Sequence, residues 1–228
     1  LKDTTFIIPI CIESEDRMRN VITTLCYLLE NFDTKVILKE VDTESVFQQQ
    51  CLPQISEYVE DGIENLTHIF EKSEPVDNMF YRMRYLNEML NMCETEVVAN
   101  YDCDVLLPIN TYLEAQKFIT EGGYDVIYPY GQGPWQKKVH ATDEMVSKFL
   151  SNDCKFSHLE KKVEIDNAES GHAQFIRRST YIEAGMENEN FISYSPEDKE
   201  RLHRFNLLGY NVGRIENWVY HLEHMRTH

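Results

Sequence analysis

The sequence predicts an α/β fold with a mainly parallel central sheet flanked by helices. Short apolar runs alternate with stretches of helical period through the first hundred residues. Acidic residues fall where these runs end, at Glu13, Asp42, Asp102 and Asp104. The chain has 228 residues and is 42% hydrophobic, enough for one large domain with a sizeable core.

Residues 4–12 (TTFIIPICI) read as a buried strand, after which Met18, Val21, Ile22, Leu25, Leu28 and Leu29 recur at helical spacing. Residues 35–41 (KVILKEV) form a second strand that ends at Asp42. The stretch 44–62 is mixed and helical in part. Residues 67–70 are a short third strand. Met79, Met83, Leu86 and Leu90 mark an amphipathic helix, and residues 96–101 make a fourth strand. Strand–helix alternation of this kind builds right-handed βαβ units.

The second half is less regular. Tyr112, Ala115, Gln116 and Ile119 indicate a helix that stops at Gly122-Gly123, and residues 125–128 a strand. Residues 131–135 (GQGPW) read as a loop holding an aromatic. Residues 142–150 are helical, and the charged stretch 155–166 reads as a surface excursion. A strand over 173–177 precedes a short helix over 180–184. Ser195-Pro196-Glu197-Asp198 opens a last helix with Leu202, Phe205 and Leu208, which Gly209 stops. With no repeat, low-complexity tract or linker, residues 1–228 read as one domain.

Charge narrows the partners. The formal net charge is −17 and the pI about 4.8, so nucleic acid and anionic lipid are excluded as main partners. A small anionic ligand is still admitted, because a bound cation and a few arginines reverse the field locally. Six cysteines without a CxxC pair read as reduced and buried, hence cytoplasmic. No apolar run approaches the roughly 20 residues of a membrane span. The first residue is Leu and no signal peptide is visible. The expectation is a cytoplasmic chain, peripheral to the inner membrane face or excised from a longer protein. The oligomeric state is not legible.

The chemistry concentrates in a few places. Asp102-Cys103-Asp104 closes the fourth strand; in extended chain, residues i and i+2 point the same way. Two carboxylates so placed repel unless a proton or a hard divalent cation lies between them; the plain alternative is a solvated Asx-type turn. By the same parity Cys103 belongs to the core. Ligands of open α/β sheets bind at the carboxyl ends of strands, which suits Asp42 to a nucleobase or ribose. Arg82, Arg84 and Asn87 lie on the helix before the acidic strand, where arginine forks suit phosphate. Met83 and Leu86 cover that helix's core side, so the two arginines cannot both face inward. His221, His224 and His228 crowd the C-terminus, and a histidine joining two aspartates favours Mn²⁺ over Ca²⁺. Asp198 is either a helix cap or a general base facing a cleft, and Glu197 is available to a substrate hydroxyl.

The order of FIIPICIESEDR (6–17), Asp42, FYRMRYLNEML (80–90), YDCDVLLP (101–108), GHAQFIRRSTYIEAGMENENF (171–191), SPEDKERLHRF (195–205) and WVYHLEH (218–224) resembles a GT-A-type glycosyltransferase of the large family 2 kind. The C-terminal part resembles the galactosyltransferase C-terminal segment. The resemblance covers nearly the whole chain. It implies a nucleotide-binding half over 1–108, an acceptor-binding half over 109–228, and sugar transfer from a nucleotide diphosphate sugar, UDP-linked, to a carbohydrate acceptor in polysaccharide biosynthesis. It implies Asp102 and Asp104 as ligands of Mn²⁺ or Mg²⁺ on the donor diphosphate, completed by His221 or His224. It further implies Asp42, Arg82 and Asn87 on the donor, Asp198 as the base of an inverting reaction, and Glu197 and His172 on the acceptor. The chain departs from the family at Val41-Asp42-Thr43-Glu44, where Asp-Asp-Gly-Ser is usual. Trp135 matches no motif and either covers a loop or stacks on an acceptor sugar. Two other readings share these residues. A sugar nucleotidyltransferase is disfavoured by the acidic Glu13-Ser14-Glu15-Asp16, where a glycine-rich basic loop belongs. A non-catalytic nucleotide-sugar or carbohydrate-binding module need not keep both acidic pairs.

Overall fold

The computed structural model describes residues 1–73, 79–192 and 196–225. A seven-stranded sheet contains β1 (Thr4–Ile10), β2 (Lys35–Asp42), β3 (Leu66–Lys72), β4 (Val97–Tyr101), β6 (Val126–Tyr128), β9 (Ala173–Arg177) and β10 (Val212–Arg214). Their order is β10-β6-β9-β4-β1-β2-β3. Only β9 runs against its neighbours β4 and β6; the other pairings are parallel. A second sheet, ordered β5-β11-β7-β8, contains β5 (Val105–Leu106), β7 (Gly133–Val139), β8 (Val163–Ala168) and β11 (Val219–Leu222). The helices are α1 (Glu15–Asn31), α2 (Leu52–Tyr58), α3 (Arg82–Met92), α4 (Ile109–Thr120), α5 (Asp143–Ser151), α6 (Arg178–Glu183) and α7 (Glu197–Leu207).

The mixed α/β class expected from the sequence is the observed one, and each element has a local cause. All seven residues of β1 are buried, as a near-continuous apolar run in a central parallel strand requires. Its pairing with β4 stops at Ile7, two residues before Pro9, which has no N–H to donate. Ser14 caps α1 by accepting from the Arg17 N–H at 3.2 Å, and Glu15 and Asp16 complement the first turn. The buried stripe of α1 includes Val21, Leu25, Leu28 and Leu29. Thr142 caps α5 in the same way.

Three stretches differ from the sequence reading. Residues 131–135 are not all loop: β7 begins at Gly133, and Trp135 packs on Trp218 with ring centroids 5.2 Å apart. A Cβ on Gly131 would sit 2.3 Å from Trp135 Cδ1, so the indole covers this turn only because residue 131 is glycine. The charged stretch 155–166 is a 3₁₀ turn at Phe156–His158 followed by the start of β8. β8 escapes notice because it is an edge strand paired through charges, Lys138 with Asp166 among them, instead of an apolar run. The expected cap Ser195 lies outside the described residues; Pro196 precedes α7, and Asp198 is its second residue.

Candidate active site

The turn that carries Asp102 and Asp104 is fixed from below by tyrosines. Tyr101 donates to the Val105 carbonyl at 2.8 Å and closes the turn between β4 and β5. Tyr112 meets the Tyr101 hydroxyl at 2.5 Å and accepts from the Leu107 N–H at 3.1 Å. Tyr27 donates to the Leu107 carbonyl at 2.8 Å. Phe6 and Phe175 pack edge-on around them, Phe6 on Tyr101 at 5.2 Å. The turn therefore stands on a rigid aromatic base.

Strand register brings the histidines to this turn. β11 pairs antiparallel with β5 so that His221 lies opposite Val105, and the Leu222 N–H bonds the Asp104 carbonyl at 2.8 Å. Asn20 on α1 holds the Leu222 carbonyl at 2.7 Å. Across the large sheet, Tyr101 faces Ala173, which puts His172 beside Asp102; the His172 carbonyl accepts from the Asp102 N–H at 2.9 Å.

Asp104, His221 and His224 offer one ligand atom each, all within 4.8 Å of one another. His221 Nε2 is 3.7 Å and His224 Nε2 3.1 Å from Asp104 Oδ2. The other nitrogen of each ring is committed elsewhere: His221 Nδ1 to Glu223 Oε1 at 2.8 Å, His224 Nδ1 to the Met225 carbonyl at 3.0 Å. Metal-binding histidines are oriented by such second partners. Arg17 Nη2 lies 3.1 Å from His224 Nε2; a nitrogen that accepts from arginine presents the lone pair a metal would use. Burial alone would raise the Asp104 carboxyl, but His221, His224 and Arg17 hold it well below the usual range. Burial opposes the charge on His221 too, yet Asp104 and Glu223 push its pKa up to about 10. A histidine pair and one carboxylate fit a borderline divalent ion such as Mn²⁺.

Asp102 is not in this cluster. The parity argument for two carboxylates on one side assumes extended chain, and the chain turns at Cys103-Asp104. Asp102 Oδ1 instead accepts from Arg82 Nη2 at 2.7 Å, while Cys103 is buried in the core. Arg82 also reaches Asn100 Oδ1 at 3.3 Å, and its Nη1 is buried with no hydrogen-bond partner among the described residues. Burial would lower the Arg82 pKa; Asp102 and Asp198 raise it. Arg84 takes the other side of α3, paired with Glu71 and stacked on Tyr85. Asn87, expected at the donor, is placed by the fold against Glu187 and Glu189. Its amide donates to the Glu187 carbonyl at 3.0 Å and to Glu189 at 2.7 Å, and accepts the Glu187 N–H at 2.8 Å, so both amide hydrogens are used within the chain.

Asp42 stands at the end of β2, its Oδ2 3.6 Å from the Cys11 thiol. Burial and Asp42 push that thiol up to about 12. His172 adopts a left-handed φ of 64°, uncommon for a side-chain-bearing residue and frequent at functional sites. Its Nε2 lies 3.0 Å from Gln136 Oε1, and its ring is 5.5 Å from that of His221. Burial lowers the His172 pKa and His221 adds to this, against Asp102, Asp104 and Asp198, which raise it. His172 thus lies within the field of all three acids.

On the far side, Pro196 stands at the start of α7 without a side-chain cap, and Asp198 is turned to Arg201. Its Oδ1 accepts from Arg201 Nη1 at 2.9 Å. Arg201 is 0% exposed and forks onto Glu187, with Nε to Oε1 at 2.5 Å and Nη2 to Oε2 at 3.0 Å. Tyr181 donates to Glu187, Asn100 links Tyr181 at 3.3 Å, and Arg82 links Asn100, so a buried chain of bonds runs from Asp198 to Asp102. Burial raises the Glu197 pKa, and its Oε2 has no partner among the described residues. A cavity of about 220 Å³ opens beside Asp198, lined also by Gly171, His172, Glu169 and Lys199. Sequence reasoning missed Arg201, Glu187 and Gln136. An arginine one turn after an Asp at a helix start is the one signal that pointed to Arg201. His228 lies outside the described residues.

No family model and no curated protein matches the chain. Solved structures do. The mannosyltransferase PcManGT from Pyrobaculum calidifontis, in complex with GDP-Man and Mn²⁺, superposes with a TM-score of 0.61 at 13% identity, over 99% of this chain and 57% of that one. S. aureus TarS 1–349 in complex with UDP-GlcNAc gives 0.61 at 15% identity, over 99% of this chain and 60% of that one. S. aureus TarS gives 0.59 at 12%, over 96% and 36%. The chain spans about 60% or less of these proteins. At such identities the likeness establishes the fold, a GT-A-like arrangement.

Proposed function

We propose that this chain transfers a hexosyl group from a nucleotide diphosphate sugar, a UDP-sugar in the first place, to a hydroxyl of a carbohydrate acceptor. The transfer is metal-dependent and inverting, of the kind family 2 glycosyltransferases perform. The observation that carries it is the convergence of two histidine Nε2 atoms on Asp104 Oδ2, each ring held by its other nitrogen. Related folds bind GDP-Man with Mn²⁺ and UDP-GlcNAc, which supports a nucleotide sugar as donor.

Asp104, His221 and His224 would hold the ion, Mn²⁺ or Mg²⁺. When bound, it supplies positive charge to the diphosphate of the leaving nucleotide. Asp102 acts differently, by fixing Arg82, whose spare Nη1 donates to the same diphosphate. Asp42 accepts from the base or ribose. Asp198 takes the proton of the acceptor hydroxyl as that oxygen attacks the anomeric carbon from the face opposite the diphosphate. Glu197 Oε2 and the His172 ring orient the acceptor. Among the described residues no helix is long and apolar enough to cross a membrane.

A thermal-shift screen of UDP-GlcNAc, UDP-Gal and GDP-Man with and without Mn²⁺ tests the donor and the metal together, because a ligand that binds only the folded state raises its stability. The expected result is stabilisation by one sugar nucleotide only when Mn²⁺ is present. Equal stabilisation in chelator would reject the metal site. Binding without turnover against a panel of sugar acceptors would make the chain a non-catalytic module.

A further inference from the structure

A buried arginine is costly unless its donors are all met. Arg201 makes four hydrogen bonds. Its Nε and Nη2 fork onto both oxygens of Glu187, and its Nη1 bridges Gln174 Oε1 and Asp198 Oδ1, both at 2.9 Å. Each partner is itself fixed. Asn87 grips the Glu187 backbone from both sides, and Tyr181 donates to its carboxylate. Gln174 spends its amide hydrogens on the Ser170 and Gly171 carbonyls at 2.8 and 2.9 Å. Asp198 is the partner that lies at the cavity, and among the described residues Arg201 is what holds it.

The two oxygens of Asp198 are therefore unequal. Oδ1 is taken by Arg201, while Oδ2 faces Gly171, where a Cβ would stand only 3.1 Å away. Both residues line the 220 Å³ cavity. We propose that Arg201 is a positioning residue that clamps Asp198 through Oδ1, so that Oδ2 alone receives the acceptor proton, and that residue 171 is glycine to leave that oxygen open. This rests on the reading of Asp198 as the base. In the step, the acceptor O–H bond breaks and its proton goes to Oδ2. The oxygen's electron pair forms the bond to the anomeric carbon, and the bond to the diphosphate breaks with its pair leaving on the nucleotide. Glu187 keeps Arg201 neutralised throughout, so the clamp survives when Asp198 loses its charge.

The test compares the parent, Arg201→Lys and Gly171→Ala, each with Mn²⁺ and a donor sugar nucleotide. A lysine keeps the charge but cannot fork onto Glu187 and still reach Asp198 and Gln174. Both variants are expected to lose about 100-fold in kcat, the cost of a small misplacement of a reacting group. In Arg201→Lys, donor Kd and acceptor KM should stay within about threefold, since Arg201 is buried and does not line the cavity. In an Asp198→Asn background, Arg201→Lys should cause no further loss, because a clamp without its base has nothing to position. Parental kcat in a folded Arg201→Lys, or full additivity with Asp198→Asn, would overturn the role of Arg201. If Arg201→Lys does not fold, Gly171→Ala, which leaves the buried network intact, decides: parental kcat there rejects the assignment of Oδ2. A parent that transfers no sugar rejects the reading of the site itself, a different failure from an active parent with active variants.

Discussion

Two corners of the candidate site neutralise carboxylates by opposite means. At one, Asp104 is met by His221 and His224, with Arg17 behind them. At the other, Asp198 and Glu187 are met by Arg201, and Asp102 by Arg82. Histidine gives up its proton and turns the same lone pair to a metal; arginine stays charged at every pH the protein meets. The first corner is thus built to exchange its cation and the second to keep it. The difference teaches where movable charge belongs in this proposed enzyme: at the donor diphosphate, which arrives and leaves, and not at the base, whose position must persist between turnovers.

The widest separation of the two corners is expected from Asp198→Asn. Transfer should fall by about a thousandfold or more, within the range general bases contribute. The Mn²⁺-dependent thermal shift with donor should remain. Loss of both together would make Asp198 a structural residue and dissolve the contrast.

Next in size is Glu187→Leu. It leaves Arg201 buried without its forked partner, and breaking a buried pair costs about 3–5 kcal/mol. Chemical denaturation measures it. The double variant Glu187→Leu with Arg201→Met should recover most of that loss, since apolar groups of similar volume often replace buried ion pairs without penalty. Asp104→Ala is expected to do the reverse of Asp198→Asn. It should abolish the metal-dependent part of donor stabilisation, about 2.7 kcal/mol at a hundredfold excess of ligand over its Kd. An undiminished Mn²⁺ response would move the ion away from Asp104.

The sequence makes the first corner more legible than the second. Asp104 and the histidine cluster are visible as residue types, and the first four strands are visible because parallel central strands are apolar runs such as TTFIIPI. The parity that places Asp102 beside Asp104 assumes extended backbone, but Tyr101 bends the chain by bonding the Val105 carbonyl, and Asp102 pairs with Arg82. Arg201 and Glu187 are hidden for another reason. They lie 14 positions apart and meet only through the packing of α7 on the large sheet, while charged residues on a helix normally signal a solvated face. Asn87 is placed at the donor by the resemblance of the 80–90 helix alone, and its bonds to Glu187 and Glu189 carry no signal in the sequence. β7 and β8 are obscure because their pairing runs through Lys138 and Asp166, not through alternating apolar residues.

His172 lies between the two corners and supplies the finest test of the contrast. Among the described residues neither an arginine nor a carboxylate is bonded to its ring, and its Nε2 meets the Gln136 amide oxygen. Burial, helped by His221, depresses its pKa below the ordinary 6.5 despite the surrounding acids. The unfolded chain therefore binds a proton here at a pH where the folded one does not. Stability attributable to this residue is intact above about pH 6.5 and declines as pH falls below it, with unfolding favoured by proton uptake. His172→Gln removes the titration while keeping a hydrogen-bonding partner for Gln136. In metal-free protein, the parent's urea midpoint should fall more steeply between pH 6.5 and 5 than that of His172→Gln. Identical slopes would mean that the field of Asp102, Asp104 and Asp198 offsets the burial of His172 and joins the two corners into one.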